Sequence, residues 1–212
     1  MKLFIVGGAG YIGSHMGKIA YKAGHKVITL DNLSTGHKDA VLYGKFEFCD
    51  MLDSSRLKEL FVKYKPDVVM HFSAFSVVGE SVNKPYKYYH NNVIGTLNLL
   101  KSMIDNGCDK FIFSSSAAIF GNPVYSPIDE EHPRKPISPY GKSKLMIEEI
   151  LKDFDKSYGL KYLSFRYFNA AGHDPEGELI ERHDPEIHLL PVIIQAVKGK
   201  RESISIFGTD YD

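Results

Sequence analysis

Short, nearly continuous apolar runs alternate along this chain with longer stretches in which apolar residues recur every three or four positions. The first run, Leu3-Phe4-Ile5-Val6, has the length and continuity of a strand buried on both faces. From Tyr11 to Ala23 the apolar positions Ile12, Met16, Ile19, Ala20 and Ala23 keep helical spacing. Lys26 to Leu30 reads as a second strand ending at Asp31, and Phe46 to Cys49 as a third ending at Asp50. Asp53 suits the N-cap of a helix carrying Leu57, Leu60 and Phe61, which Pro66 stops. Asp67 to Phe72 is the next strand, followed by a loop with Ser73, Ala74, Ser76 and Gly79. The spacing of Val93, Leu97 and Leu100 predicts one helix from about Tyr86 to Asp105. Lys110 to Phe113 is a strand running into Ser114-Ser115-Ser116. After a loop rich in proline and acids, a helix starts near Tyr140, and a strand from Lys161 to Phe168 ends at Asn169.

Strand and helix in strict turn predict an α/β fold, a doubly wound parallel sheet of Rossmann type with right-handed crossovers, over residues 1–169. From Ala170 the pattern changes. His173-Asp174-Pro175 and His183-Asp184-Pro185 flank a polar loop, then a helix from about Ile187 to Lys198 and a strand at Ser203 to Phe207 are expected. Residues 170–212 break the alternation, and a length of 212 residues allows one full α/β domain and part of another.

Composition narrows the function classes. Lys plus Arg and Asp plus Glu each total 26 in 212 residues, so the formal net charge is zero. No basic field draws nucleic acid or a membrane surface, and any anion site must be local. No segment is long and apolar enough to span a membrane, and the apolar start leads into glycines rather than a signal-peptide cleavage site. Cys49 and Cys108 have no metal-type spacing and read as buried free thiols of a reducing compartment, the cytoplasm.

Three glycines, Gly7, Gly10 and Gly13, stand where the first strand gives way to the first helix. That geometry is a phosphate cradle: a tight turn, close backbone approach to a pyrophosphate, and a helix packed tightly enough to aim its N-terminus at the anion. Asp31 at the tip of the second strand suits both hydroxyls of an adenosine ribose and repels a 2′-phosphate, which favours NAD over NADP. Ligands of such sheets lie at the carboxyl ends of the strands, where Gly7, Asp31, Asp50, Phe72, Ser116 and Asn169 gather.

Tyr140 and Lys144, four apart on a helix, share one face. An ammonium beside a phenol favours the phenolate, so Lys144 is expected to lower the Tyr140 pKa and ready it for proton transfer near neutrality. Ser116 is placed to hydrogen-bond a substrate hydroxyl or carbonyl. The three make a hydroxyl-to-carbonyl redox site next to a nicotinamide. Solvent exposure is the expectation for Asn91 and Asn92 inside their helix. Among the nine histidines no pair has helical metal spacing with an acid between, and no cysteine joins them, so no metal site is expected.

Gly7-Gly-Ala-Gly-Tyr-Ile-Gly-Ser-His15, Asp31-Asn-Leu33, the run from His71 to Ser81, Tyr88 to Gly95, Ser114-Ser-Ser-Ala117, Ser138-Pro-Tyr-Gly-Lys-Ser-Lys144 and Arg166-Tyr-Phe-Asn169 occur in this order. Together they resemble the UDP-glucose 4-epimerases of the extended short-chain dehydrogenase/reductase family, over the whole chain. The resemblance implies a nucleotide-sugar isomerase of galactose metabolism with tightly bound NAD, regenerated each turnover. Tyr140 would take the proton from the sugar 4-hydroxyl, Ser116 would assist, and Lys144 would hold the nicotinamide ribose. A transient 4-keto sugar would turn over and be reduced on its other face.

Carried across by position, the resemblance implies cofactor contacts at Tyr11, Ile12, the Asp31, Asn32, Leu33, Ser34, Thr35 and Gly36 loop, Asp50, Met51, Phe72, Ser73, Ala74, Ser76, Asn91 and Phe168. It implies substrate contacts at Ser116, Tyr140, Asn169, His188, Leu189 and Phe207, and a homodimer through the helices starting near Tyr86 and Tyr140. Ser76 stands where some members have lysine, Phe120 where tyrosine is usual, and His188 where some have asparagine and others histidine. The family continues past Asp212 with arginines that clamp the diphosphate, so the chain reads as truncated. A nucleotide-sugar dehydratase or decarboxylase is the nearest alternative, but dehydratases carry an acid pair where Ala117-Ala118 stand. A non-catalytic NAD-binding module is the other, and it has no need of the Ser116, Tyr140 and Lys144 set.

Overall fold

The computed structural model describes residues 1–206 and 208. It divides into two compact units, Met1–Ala170 and Ala171–Asp212. In the first, six strands form one parallel sheet: β1 (Lys2–Val6), β2 (Lys26–Asp31), β3 (Lys45–Phe48), β4 (Val68–His71), β5 (Lys110–Ser116) and β6 (Lys161–Tyr167). Their order across the sheet is β3-β2-β1-β4-β5-β6. The chain winds outward from β1 in one direction and then, from β4, in the other, which is the doubly wound topology with its switch point between β1 and β4.

Alternation within β1 divides the core. Phe4 and Val6 point to one face, where they meet Leu57, Leu60 and Phe61 of α2 (Ser54–Tyr64), Leu99, Leu100 and Met103 of α5 (Gly95–Asp105) and Ile147 and Leu151 of α6 (Pro139–Tyr158). Leu3 and Ile5 point to the other and meet Met16 and Ala20 of α1 (Tyr11–Lys22). Each such fully buried side chain contributes on the order of 2 kcal/mol. The α1 face runs out of helical cover at β6, where Leu163 and Phe165 are exposed.

Local chemistry sets the helix ends. Asp53 caps α2 by accepting from the Arg56 N–H at 2.9 Å, as its position suggested. Ser138 caps α6 by accepting from the Gly141 N–H at 3.1 Å, Pro139 opens the first turn, and Gly159 closes the helix at φ 71°.

Three expectations change. A short helix, α3 (Val78–Asn83), occupies the stretch read as loop, because Val78 and Ser81 fall one turn apart and the Ser81 hydroxyl donates to the Val78 carbonyl at 2.6 Å. The helix expected from Tyr86 to Asp105 is α4 (Pro85–Tyr88), a π-helical turn (Tyr89–Ile94) and then α5. The wide turn appears where Asn92 reaches across to another segment, and apolar periodicity does not report it. In the second unit α7 (Leu189–Val197) follows a long loop. Ser203–Ile206 forms no strand among the described residues, since a strand exists only by the hydrogen bonds of a partner. Phe207 lies outside the described residues.

Candidate active site

The turn from β1 to α1 is tight enough to admit only glycine at two positions. A Cβ on Gly13 would lie 2.2 Å from the Gly7 carbonyl oxygen, and one on Gly7 would lie 2.5 Å from the Ser73 nitrogen. Gly7 also sits at φ 78°, in the region that favours glycine. The α1 N-terminus thus packs directly on the turn, and the Phe72–Ala74 segment after β4 packs directly against Gly7.

Asp31 ends β2 and is almost fully buried. Its carboxylate accepts from the Ala9 N–H at 3.0 Å and the Leu33 N–H at 2.8 Å. Burial raises its pKa, and these two bonds oppose the rise. One oxygen therefore ties the glycine turn and the other ties the following loop, and each retains a lone pair for a ribose hydroxyl. Leu33 is held at φ 58°, a conformation that costs a bulky residue on the order of 1 kcal/mol and that the Asp31 bond maintains. Gly36 closes the same loop against Ala9, and the His37 N–H donates to the Ala9 carbonyl at 2.9 Å. Asn32 donates to Asp50 at 2.9 Å, and the Met51 carbonyl accepts from Asn98 at 3.1 Å. The loops after β1, β2 and β3 are thus stitched together at the carboxyl end of the sheet. The cradle and its acid fit the pyrophosphate and adenosine ribose of a dinucleotide.

Asn92, expected at the surface, is buried and clamps the Phe75 backbone from both sides. It accepts from the Phe75 N–H and donates to the Phe75 carbonyl, both at 3.0 Å, and donates to the Ser143 hydroxyl at 3.3 Å. Asn91 is half-buried and donates to the Asn92 side chain at 2.9 Å. Ser76, one residue beyond the clamp, is exposed.

Ser116, Tyr140 and Lys144 come together at the ends of β5 and α6. The Ser116 Oγ accepts from the Ala118 N–H at 3.1 Å and shares a hydrogen bond with Tyr140. Lys144 is fully enclosed; its Nζ donates to the Ser114 carbonyl at 2.7 Å and lies 4.9 Å from the Phe113 ring centroid and 5.8 Å from that of Tyr140. Burial pushes the Lys144 pKa down to about 7. Burial also raises the Tyr140 pKa, opposed by the Ser116 bond. This reverses the expected tuning. Desolvation of the phenol dominates, and the group that opposes it is Ser116.

One support, Glu148, escaped the sequence reading. Glu148, one turn beyond Lys144 and almost fully buried, accepts from Ser115 at 2.6 Å and from Arg166 at 3.1 and 2.9 Å. It thereby ties the helix of Tyr140 and Lys144 to the strand of Ser116. The one available signal was its place on the Tyr140 and Lys144 face. His71, at the end of β4, is buried and kept neutral, its pKa driven down to about 3 by burial and by Lys144. Thr96 donates to the Asn92 carbonyl at 2.6 Å, so the His71 Nε2, 3.2 Å from the Thr96 hydroxyl, carries the hydrogen.

Phe168 and Asn169 follow β6 and are exposed. His188 and Leu189 belong to the second unit, where His188 is the N-cap of α7 and both are exposed. In that unit Glu181, His183, Glu186 and His188 offer ligand atoms within 4.8 Å of one another, a grouping that helical metal spacing does not reveal because a loop creates it. Cys49 and Cys108 are buried free thiols. No helix among the described residues is long and apolar enough to cross a membrane.

A doubly wound sheet with a glycine cradle, an acid at the second strand and a Ser/Tyr/Lys set at the ends of β5 and α6 defines a dinucleotide-dependent enzyme class. Residues 3–211 match the model of the NAD dependent epimerase/dehydratase family, and the chain belongs to it. Within that family it is similar to UDP-glucose 4-epimerases. That of Halalkalibacterium halodurans is 47% identical over 211 residues, covering 100% of this chain and 63% of the relative. The crystal structure of the Brucella ovis enzyme in complex with NAD superposes with a TM-score of 0.97 at 47% identity, covering 100% of this chain and 65% of that one. The Bifidobacterium longum enzyme in complex with NAD+ and UDP gives 0.94 at 34% identity, covering 100% and 67%. The chain thus spans a little under two thirds of the Halalkalibacterium halodurans relative.

Proposed function

We propose that residues 1–169 are the NAD-binding domain and residues 170–212 the beginning of the substrate domain of an epimerase that interconverts UDP-galactose and UDP-glucose through a transient 4-keto sugar. The observation that carries this reading is the gathering of Ser116, Tyr140 and Lys144 at the same carboxyl end of the sheet as the Gly7–Gly13 turn. Bound NAD supplies the hydride acceptor and donor. Asp31 holds the adenosine ribose and excludes a 2′-phosphate. Lys144 keeps two N–H groups beyond its bond to Ser114, enough for the hydroxyls of the second ribose. Tyr140 takes the proton of the sugar 4-hydroxyl and returns it, and the Ser116 hydroxyl stabilises the phenolate in between.

Asn169, His188, Leu189 and Phe207 are proposed substrate contacts. The exposed Tyr86 and Met146 support a homodimer through the helices that carry them, and the placement of both cysteines as buried, unbridged thiols supports a cytoplasmic setting. The test is to release and count NAD from the purified chain and to assay UDP-galactose conversion in the same sample. NAD with conversion supports the whole reading. NAD without conversion supports the cofactor domain and refutes catalysis by this chain alone, whereas no NAD refutes the reading of the glycine turn. Tyr140→Phe abolishes any conversion while leaving NAD bound.

A further inference from the structure

The loop leading into α7 carries the sequence Glu181-Arg-His183-Asp-Pro-Glu186-Ile-His188. Its fold turns both imidazoles and both carboxylates to one point. The His183 Nδ1 lies 3.4 Å from Glu181 Oε1 and 3.6 Å from Glu186 Oε2. The His188 Nδ1 lies 3.5 Å from the same Glu181 oxygen and 2.8 Å from Glu186 Oε1. The two imidazole centroids are 4.4 Å apart. Glu181 and Glu186 expose only 14% and 9% of their side chains, so the oxygens are drawn inward rather than solvated.

Three of these four separations exceed the usual hydrogen-bond range of about 2.7–3.2 Å. They match instead the edge of a tetrahedron whose centre sits ~2.0–2.1 Å from nitrogen and oxygen ligands, an edge of about 3.4 Å. The Glu186 Oε1 accepts from the N–H groups of Ile187 and His188, both at 2.9 Å, and lies within hydrogen-bond distance of the His188 Nδ1 at 2.8 Å, a contact the ion would replace; its Oε2 is left for a ligand role. Imidazoles ligate as neutral rings, so with two carboxylates the group presents a charge that one divalent cation neutralises.

We propose that Glu181, His183, Glu186 and His188 form a structural site for a divalent transition-metal ion, zinc foremost. Two imidazole nitrogens favour such an ion over magnesium or calcium, and four protein ligands leave no open position for catalysis. The metal closes the loop from 181 to 188 and fixes His188 at the N-cap of α7, with its Nε2 facing away from the ion.

Metal-free chain is titrated with Co2+ as a spectroscopic stand-in, followed by Zn2+ in competition. The expected result is one Co2+ per chain, with the intense visible bands of four-coordinate cobalt, displaced by Zn2+. Glu181→Gln, nearly isosteric, and His183→Ala each weaken binding by at least about tenfold. His173→Ala, an exposed histidine outside the group, leaves binding unchanged. Circular dichroism confirms that each variant is folded, and the Gln variant carries the test if the Ala variant is not. A weak six-coordinate spectrum, binding untouched by Glu181→Gln, or equal loss with His173→Ala overturns the proposal.

Discussion

Replacing Asn92 with alanine removes both hydrogen bonds that hold the Phe75 backbone, each 3.0 Å long, and the 3.3 Å bond to Ser143. Alanine fits the π-helical turn, so the loss is one of partners rather than backbone strain. Asn92 is 1% exposed, so its partners lose bonds that lie inside the protein. An unsatisfied buried backbone group costs about 1–3 kcal/mol. Phe75 is half-buried, so part of this is recovered by hydration, and the loss of the pair comes to about 2–4 kcal/mol. For a chain of this size each kcal/mol lowers the melting temperature by roughly 2–4 °C, so the expected drop is about 5–15 °C. Thermal unfolding followed by circular dichroism reads it. The freed segment adjoins Phe72 to Ala74, which packs on Gly7, so NAD affinity falls as well. A drop below about 3 °C with unchanged NAD affinity would refute the clamp and restore the view of Asn92 as a surface residue.

Gly13→Ala forces a methyl group to 2.2 Å from the Gly7 carbonyl. The turn must open, and NAD binding measured by fluorescence weakens by at least about tenfold, with roughly 1–3 kcal/mol of stability lost. Glu148→Gln removes the charge that pairs with Arg166 and is expected to cost about 2 kcal/mol in urea unfolding, less than a fully buried pair because Arg166 is 20% exposed. Lys144 binds its proton less tightly folded than unfolded, since burial lowers its pKa from 10.5 to about 7. The unfolded chain therefore holds the extra proton between these values, and stability rises with pH from about 7 upward. Lys144→Met lacks this dependence, so its stability advantage over the parent chain shrinks by about 2 kcal/mol between pH 7 and 9 in cofactor-free chain. Above pH 9 the buried thiols of Cys49 and Cys108, pushed up to about 12 and about 11, act in the opposite direction in both proteins.

The linear chain by itself determined the parallel sheet and the glycine turn. Continuous apolar runs such as Leu3 to Val6 bury only as strands covered on both faces, and glycines between strand and helix answer a purely local steric demand. It also determined that Tyr140 and Lys144 share a face, because four residues on a helix always do. Tertiary structure decided the rest. The burial of Asn92 depends on Phe75, seventeen positions away. The role of Glu148 depends on Ser115 and Arg166, from two different strands. The direction of the Tyr140 pKa depends on how much water the surrounding loops exclude, and periodicity carries no information about that. The grouping of Glu181, His183, Glu186 and His188 comes from a loop whose path no repeat encodes. Local sequence specifies what a segment prefers, while satisfaction of a buried polar group is settled by whatever the fold places opposite it.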